Sequence, residues 1–466
     1  MTETTPSRQR HAVVLAAGKS TRFKSEKPKL VHDLCGKPLV CHVVDKLRRL
    51  DVGNIIVVLG HESETVRQAL SESPVQFAVQ AEQLGTGHAT MCAAPALAGH
   101  EGSVLVVYGD TPLISHETLQ SVFECREEQD ADEVILTAIA PDPYGYGRVV
   151  RDVDQTPLCI VEEKDASPDQ KAICEINAGF ACFKIETLLE NLPLLSSQNA
   201  AGEYYLTDLL ALLRNSGRKV IAVSAKCFEE TAGVNSREEL AWAESHLRAE
   251  IASRWMKDGV TILNPATVYL DPDVTIGPDT IIYPGVFIEG KTTIGPRCKI
   301  YSGCHLLDAT LEEDVVVDHC SVIRRSTVGR GTTVGPFAHL REHTSVAAHA
   351  RIGNFVEVKK SVIGEGSKAS HLTYLGDATL GRDVNIGAGT ITCNYDGVNK
   401  NKTIIEDGVF VGSDSQLIAP VTIHQGAYIA AGSSITEDVP AESLAIARGR
   451  QVNKEGWAKG KAKKKG

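Results

Sequence analysis

Thr275-Ile276-Gly277-Pro278-Asp279-Thr280-Ile281-Ile282-Tyr283-Pro284-Gly285-Val286-Phe287-Ile288 carries an aliphatic anchor at every sixth position: Ile276, Ile282 and Ile288. The same step continues through Ile294, Ile300 and Leu306. It resumes as Val316, Val322, Val328, Val334, Leu340, Val346, Ile352 and Val358, and again as Val411, Leu417, Ile423, Ile429 and Ile435. Glycine often follows the anchor, as in Ile294-Gly295, Val328-Gly329 and Ile386-Gly387. A period of six fits neither an amphipathic helix nor a simple alternating strand. It fits a short strand followed by a tight turn, three of which make one triangular coil of a left-handed parallel β-helix. Each anchor is expected to point inward and stack on its counterpart in the next coil.

The period also breaks. It slips to five between Val358 and Ile363 and between Leu375 and Leu380, and the polar run Asn394-Tyr395-Asp396-Gly397-Val398-Asn399-Lys400 interrupts it. Repeat residues are occupied with stacking, so binding chemistry is expected at such interruptions. These bracket His371-Leu372-Thr373-Tyr374-Leu375-Gly376.

Upstream the pattern changes. His11 to Gly18, Asn54 to Gly60 and Ser103 to Asp110 are apolar runs ending on glycine or an acid, and Val134 to Ala138 is a further strand. Helical stretches such as Leu39 to Leu50 and Glu64 to Leu70 lie between them. That alternation predicts a doubly wound, mostly parallel α/β sheet, with ligands beyond the carboxyl ends of its strands. Between the halves, Leu240, Ala243, Leu247, Ile251 and Trp255 recur at helical spacing behind a capping-box start, Ser236-Arg237-Glu238-Glu239. The expected domains are therefore 1–235, a linker helix 236–258, a β-helix 259–440 and a tail 441–466. The alternative is that the helix belongs wholly to the first domain.

The 466 residues suffice for such domains, and the net charge of −11 argues against a general nucleic-acid binder. The basic run Lys459-Gly460-Lys461-Ala462-Lys463-Lys464-Lys465 reads as a solvated tail. Twelve cysteines without C-x-x-C pairs, and no apolar stretch long enough to span a bilayer, suggest reduced thiols in a cytoplasmic protein.

The turn after the first strand, Leu15-Ala16-Ala17-Gly18-Lys19-Ser20-Thr21-Arg22, followed by Lys27-Pro28-Lys29, offers backbone N–H groups and cations, as a triphosphate requires. It has neither the Walker spacing nor the dinucleotide fingerprint. It resembles the signature of the sugar-nucleotidyltransferases, with Ser20 and Phe23 where that family usually has Gly and Met. Gln80 to Ala89, Tyr108-Gly109-Asp110-Thr111-Pro112-Leu113, Tyr144 to Arg148, Ile160 to Asp165, Glu175 to Gly179 and Gly233-Val234-Asn235 match further motifs in the family's order. The resemblance implies that Asp110 and Asn235 hold Mg²⁺, and that Arg22 and Lys29 neutralise phosphate charge. It further implies that Leu15, Ala16, Ala17, Gly18, Gln80, Gly85, Thr86, Tyr108 and Gly109 surround UTP, and that Gly147, Glu162 and Asn177 hold the amino sugar. Read alone, Asp110 could equally be an ordinary strand-end carboxylate.

In the back half, Asn354 to Lys360, His371 to Asp377 and Asn385 to Gly397 resemble the acetyltransferase half of the bifunctional enzymes that make UDP-N-acetylglucosamine. Acetyl transfer to an amine needs a base that titrates near neutrality, and His371 is the candidate. The resemblance implies that Arg341, Lys359, Tyr374, Asn385, Asn394 and Tyr395 bind glucosamine-1-phosphate. It assigns Ala388, Ser413, Ala431 and Arg448 to acetyl-CoA, and implies a homotrimer. Arg450 departs from the family, which usually has proline there. The function expected from the whole is acetylation of glucosamine-1-phosphate, then uridylylation of N-acetylglucosamine-1-phosphate with release of pyrophosphate. A single-activity nucleotidyltransferase on a β-helix scaffold and a non-catalytic binding subunit are the alternatives.

Overall fold

The computed structural model describes residues 9–18, 21–60 and 63–460. Ser20 and the lysines beyond Gly460 therefore lie outside the described residues. The chain divides into two compact units, Met1–Leu247 and Arg248–Gly466.

In the first unit the strands β1 (Arg10–Ala16), β2 (Asn54–Leu59), β3 (Gln76–Val79), β4 (Ser103–Tyr108), β5 (Glu133–Ile139), β6 (Glu175–Lys184) and β7 (Val220–Ser224) form one sheet. Their spatial order is β7-β5-β6-β4-β1-β2-β3. All neighbours are parallel except β6, which runs antiparallel to both β4 and β5. The central strands are buried on both faces, which is why they read as continuous apolar runs rather than alternating ones. One face packs Val40, Val43, Val44 and Leu47 of the helix Leu39–Arg48 with Leu119, Val122 and Phe123 of the helix His116–Glu128. The other packs Ala89, Ala93 and Leu97 of the helix Thr86–Leu97 with Leu209 and Leu213 of the helix Asp208–Asn215.

Glu133, at the start of β5, is at odds with this packing. Its side chain is fully buried and its Oε2 has no hydrogen-bond partner. Burial alone pushes its carboxyl up to about 8. An unfolded-chain glutamate titrates near 4.3. The folded state therefore holds a proton that the unfolded state has already lost, and stability falls as pH rises between those two values. Glu133→Met is expected to add about 3 kcal/mol at pH 7 and to flatten this pH dependence. Calorimetric melts of wild type and variant at pH 5 and pH 8 check it, since the gap between them should widen at the higher pH.

The capping box read from Ser236 is present. Glu239 N–H donates to Ser236 Oγ at 3.1 Å, and Ser236 N–H donates back to Glu239 Oε2 at 3.1 Å. The helix that follows spans Arg237–Lys257, and the division between the units falls within it.

The second unit is the solenoid. Nine strands form one face of the prism, and the other two faces join in a continuous nineteen-strand ladder, all parallel. The inward column runs Ile276, Ile282, Ile288, Ile294, Ile300, Leu306, each at most 6% exposed. Two members of the sequence-derived column need correction. Val316 and Val322 are half-buried and face outward, whereas Val317 and Ile323 are fully buried. The register slips to five between Leu306 and Leu311 and again between Ile323 and Val328, so Val322 and Val316, which lie six and twelve positions before Val328, each fall one residue short of the inward position. A one-residue slip in a strand exchanges its faces, and two adjacent valines hide the change from a pattern of apolar positions. Buried hydroxyls close the corners. Thr280 and Thr332 each donate to a carbonyl near the next corner (Gly295 and Ala347) and accept an N–H of that coil, from Cys298 and Ala350. The largest irregularity pairs Thr379 with Ile404, 25 positions on, where the neighbouring coil takes 17 from Val362 to Thr379. The eight extra residues are the loop around Tyr395.

Candidate active sites on the two units

The carboxyl ends of β1 and β4 open into a cavity of about 450 Å³. Leu15, Ala16, Ala17 and Gly18 line it where β1 gives way to the glycine turn, with Arg22 from the short helix Thr21–Phe23. Gln80, Gly85 and Thr86 line it from beyond β3, and Tyr108 and Asp110 from the end of β4. Lys29 and Asn235 complete the set, and Gly109 N–H ties the turn to Leu15 O at 3.0 Å.

Lys29 organises the floor of this cavity. Its Nζ donates to Asp110 Oδ2 at 2.5 Å and to Asn235 Oδ1 at 2.9 Å. Two side chains 125 positions apart in sequence thus turn their oxygens onto one cationic point. The capping box helps to set this geometry, because Glu239 Oε2 accepts the N–H of Asn235 at 2.5 Å. Val234 N–H donates to Asp110 O at 2.8 Å and brings the two segments together. Among the described residues no group of three or more His, Cys, Asp or Glu is placed to hold a metal. Two hard oxygens lining this cavity nevertheless suit a divalent ion that takes its remaining ligands from water and phosphate.

Gly147, Glu162 and Asn177 gather beside that cavity. Asn177 N–H donates to Gly147 O at 2.8 Å, and a Cβ on Gly147 would lie 3.3 Å from Glu162 Oε1. Glu162 accepts from Thr207 Oγ1 at 3.0 Å, and burial holds its carboxyl above the usual range. A small recess lined by Asn177, Gly179 and Thr207 shares Leu15 and Tyr108 with the larger cavity. A bulge in β6 between Asn177 and Ala181 allows this approach. At its centre Gly179 has φ +80°, and a Cβ there would sit 2.2 Å from the Tyr108 ring.

Several lining residues were not singled out from sequence. Gln83 and Glu203 line the cavity, and Thr207 supports Glu162. The segment from Glu203 to Thr207 carries no local motif. It docks because Tyr204 N–H reaches Leu84 O at 2.7 Å and Leu206 N–H reaches Thr86 Oγ1 at 3.1 Å.

On the solenoid, successive coils bring five of the expected residues to one corner. His371 pairs in register with Asn354 of the coil before, and its Nδ1 lies 2.6 Å from Asn354 Oδ1. Gly389 N–H donates to Leu372 O at 2.8 Å, Asp414 N–H to Ala388 O at 2.7 Å and Gly432 N–H to Ser413 O at 2.8 Å. Arg448 Nη1 reaches Ala431 O at 2.5 Å. His371, Ala388, Ser413, Ala431 and Arg448 thus form one column. Phe337, Phe355 and Leu372 stand exposed along it, with the two phenyl rings stacked at 5.4 Å.

The other expected residues lie on the adjoining faces. Tyr374 pairs in register with Glu357, and Glu357 binds Arg341 at 2.8 Å. Lys359 ends the same strand. Lys400 from the inserted loop lies against it and pulls its ammonium below the usual lysine range. Lys400 was not singled out from sequence, since only the loop's return, pairing Tyr395 with Lys400, brings it there. Asn394 Nδ2 donates to Asp377 Oδ2 at 2.5 Å. Asn385 pairs with Lys368 on the face before the His371 corner. Arg341, Lys359 and Lys400 concentrate positive charge, as a phosphate needs.

Comparisons with known proteins agree with both halves. Residues 12–169 match the MobA-like NTP transferase domain, residues 267–352 the GMPPB C-terminal domain, and residues 402–437 the bacterial transferase hexapeptide, six repeats. The chain is 50% identical to the bifunctional protein GlmU of Shouchella clausii (strain KSM-K16), over 97% of this chain and 99% of that one. It is also 50% identical to that of Geobacillus sp. (strain WCH70), over 96% and 97%, and 48% identical to that of Clostridium novyi (strain NT), over 97% and 99%. The chain belongs to the GlmU family of bifunctional proteins. It is a bifunctional transferase, acetylating glucosamine-1-phosphate and uridylylating N-acetylglucosamine-1-phosphate. In this GlmU-family chain the cavity around Lys29, Asp110 and Asn235 lies in the α/β unit, and the His371 corner lies on the hexapeptide solenoid.

Proposed function

We propose that the two reactions run at two separate sites with the residue roles below. The observation that carries this assignment is the convergence of Lys29, Asp110 and Asn235 at the end of β4, on a different unit from His371. At the first site Gly147, Glu162 and Asn177 bind the acetylated sugar, while Gln80, Gly85 and Thr86 bind the base of UTP. Arg22 and Lys29 neutralise the phosphates. A sugar-1-phosphate oxygen attacks the α-phosphorus in line, the bond to the β-phosphate oxygen breaks, and pyrophosphate leaves. No covalent protein group is required, because positioning and charge neutralisation carry such a transfer. Mg²⁺, held by Asp110 and Asn235, would supply further neutralisation when bound.

At the solenoid Arg341, Lys359, Tyr374, Asn385, Asn394 and Tyr395 hold glucosamine-1-phosphate. Ala388, Ser413, Ala431 and Arg448 hold acetyl-CoA. His371 takes a proton from the sugar amine as nitrogen bonds to the thioester carbonyl, and the C–S bond then breaks, the departing sulfur taking up that proton so that coenzyme A leaves as its thiol. The exposed Phe337–Phe355–Leu372 edge beside His371 supports assembly with further copies of the chain, as a homotrimer. Among the described residues no helix is long and apolar enough to cross a membrane, and the cysteines are all free, which supports a cytoplasmic setting.

Chelation separates the two activities. With EDTA in excess, uridylyl transfer is expected to stop and to return on adding Mg²⁺, while thiol release from acetyl-CoA continues unchanged. Uridylyl transfer that persists in EDTA would overturn the metal assignment.

A further inference from the structure

We infer that Asn354 is the positioning residue that makes His371 a base. The inference rests on the assignment of His371 as that base and adds the group that sets its tautomer. A histidine accepts a proton only at the ring nitrogen that carries a lone pair, and the partner of the other nitrogen decides which one that is.

Three features bring Asn354 to this task. The parallel ladder places Asn354 directly beside His371, one coil earlier. Its Oδ1 lies 2.6 Å from His371 Nδ1, short enough for a strong hydrogen bond. Gly353 lets the two coils close at this point, since a Cβ there would lie 1.9 Å from Ser370 O. An amide oxygen can only accept, so Nδ1 carries the hydrogen and Nε2 keeps its lone pair. With the Nδ1 side occupied by the solenoid, Nε2 is the atom that takes the amine proton. The same contact fixes the ring plane while the cation forms. In the coils on either side of His371, the corner carries Asn354 and Ala388, so no side chain at those two positions competes electrostatically for the ring.

The test uses the full-length protein with Asn354→Ala, Asn354→Asp and His371→Ala, measuring acetyl transfer against pH and uridylyl transfer as the control for folding. Asn354→Ala is expected to lower kcat for acetyl transfer on the order of 10- to 100-fold, with little change in KM and none in uridylyl transfer. Asn354→Asp keeps an acceptor at Nδ1 and adds a negative charge. It is expected to recover most of that loss and to move the acidic limb of the kcat profile to higher pH. Wild-type kcat in Asn354→Ala, or an Asn354→Asp enzyme slower than Asn354→Ala, would overturn the inference, the second outcome meaning that the amide donates instead. If His371→Ala itself keeps wild-type acetyl transfer, the assignment of the base fails, a result read independently of Asn354.

Discussion

Asp110→Ala is expected to lower uridylyl transfer on the order of 10³-fold or more and to leave acetyl transfer at its wild-type rate. Asp110 accepts from Lys29 at 2.5 Å, and Lys29 also bridges to Asn235 at 2.9 Å. Removing the carboxylate takes away one of the two protein oxygens proposed for the ion and releases the ammonium from its fixed position. Both changes act on phosphate charge, which is greatest as pyrophosphate departs, so the loss should fall on kcat. Asp110→Asn separates the two contributions. It preserves an oxygen for Lys29 but removes the charge, and should be impaired nearly as much if cation binding dominates. Steady-state pyrophosphate release checks the first site, and thiol release from acetyl-CoA reports on the second in the same preparation.

His371→Ala is expected to have the converse effect, lowering acetyl transfer on the order of 10² to 10⁴-fold with uridylyl transfer intact. The imidazole is exposed at a corner of the solenoid, held at Nδ1 and free of packing duties, so its loss should cost little stability. The residual rate should rise with pH, because the amine loses its proton to bulk base as hydroxide increases. A rate that stays at wild-type level would leave the corner column as a binding surface without a base. Loss of both activities from either substitution, in protein that still melts cooperatively, would refute two independent sites.

The six-residue period and the glycine turn after the first strand are local signals, and both were legible because repeat stacking and phosphate binding each demand a residue type at a fixed spacing. The capping box at Ser236 was legible for the same reason and proves to matter beyond the helix, since Glu239 also anchors Asn235. Where adjacent residues were both apolar the pattern failed. Val316-Val317 and Val322-Ile323 offer two candidates for one inward position, and only packing against the neighbouring coils selects the second. Sequence likewise marked Glu162 but not Thr207, and the loop at Asn394 but not Lys400 beside Lys359.

The sequence by itself determined the class of each half, the positions of its turns and the chemical types available, because these depend on spacing along the chain. Only the tertiary structure decided which groups meet. Lys29 between Asp110 and Asn235, Gly179 under Tyr108, and Asn354 against His371 are contacts across 17 to 206 positions. Their geometry is fixed by sheet order, by a bulge and by the height of a coil; the repeat spacing brings Asn354 and His371 to adjacent coils, but no motif encodes the contacts of Lys29 or of Gly179.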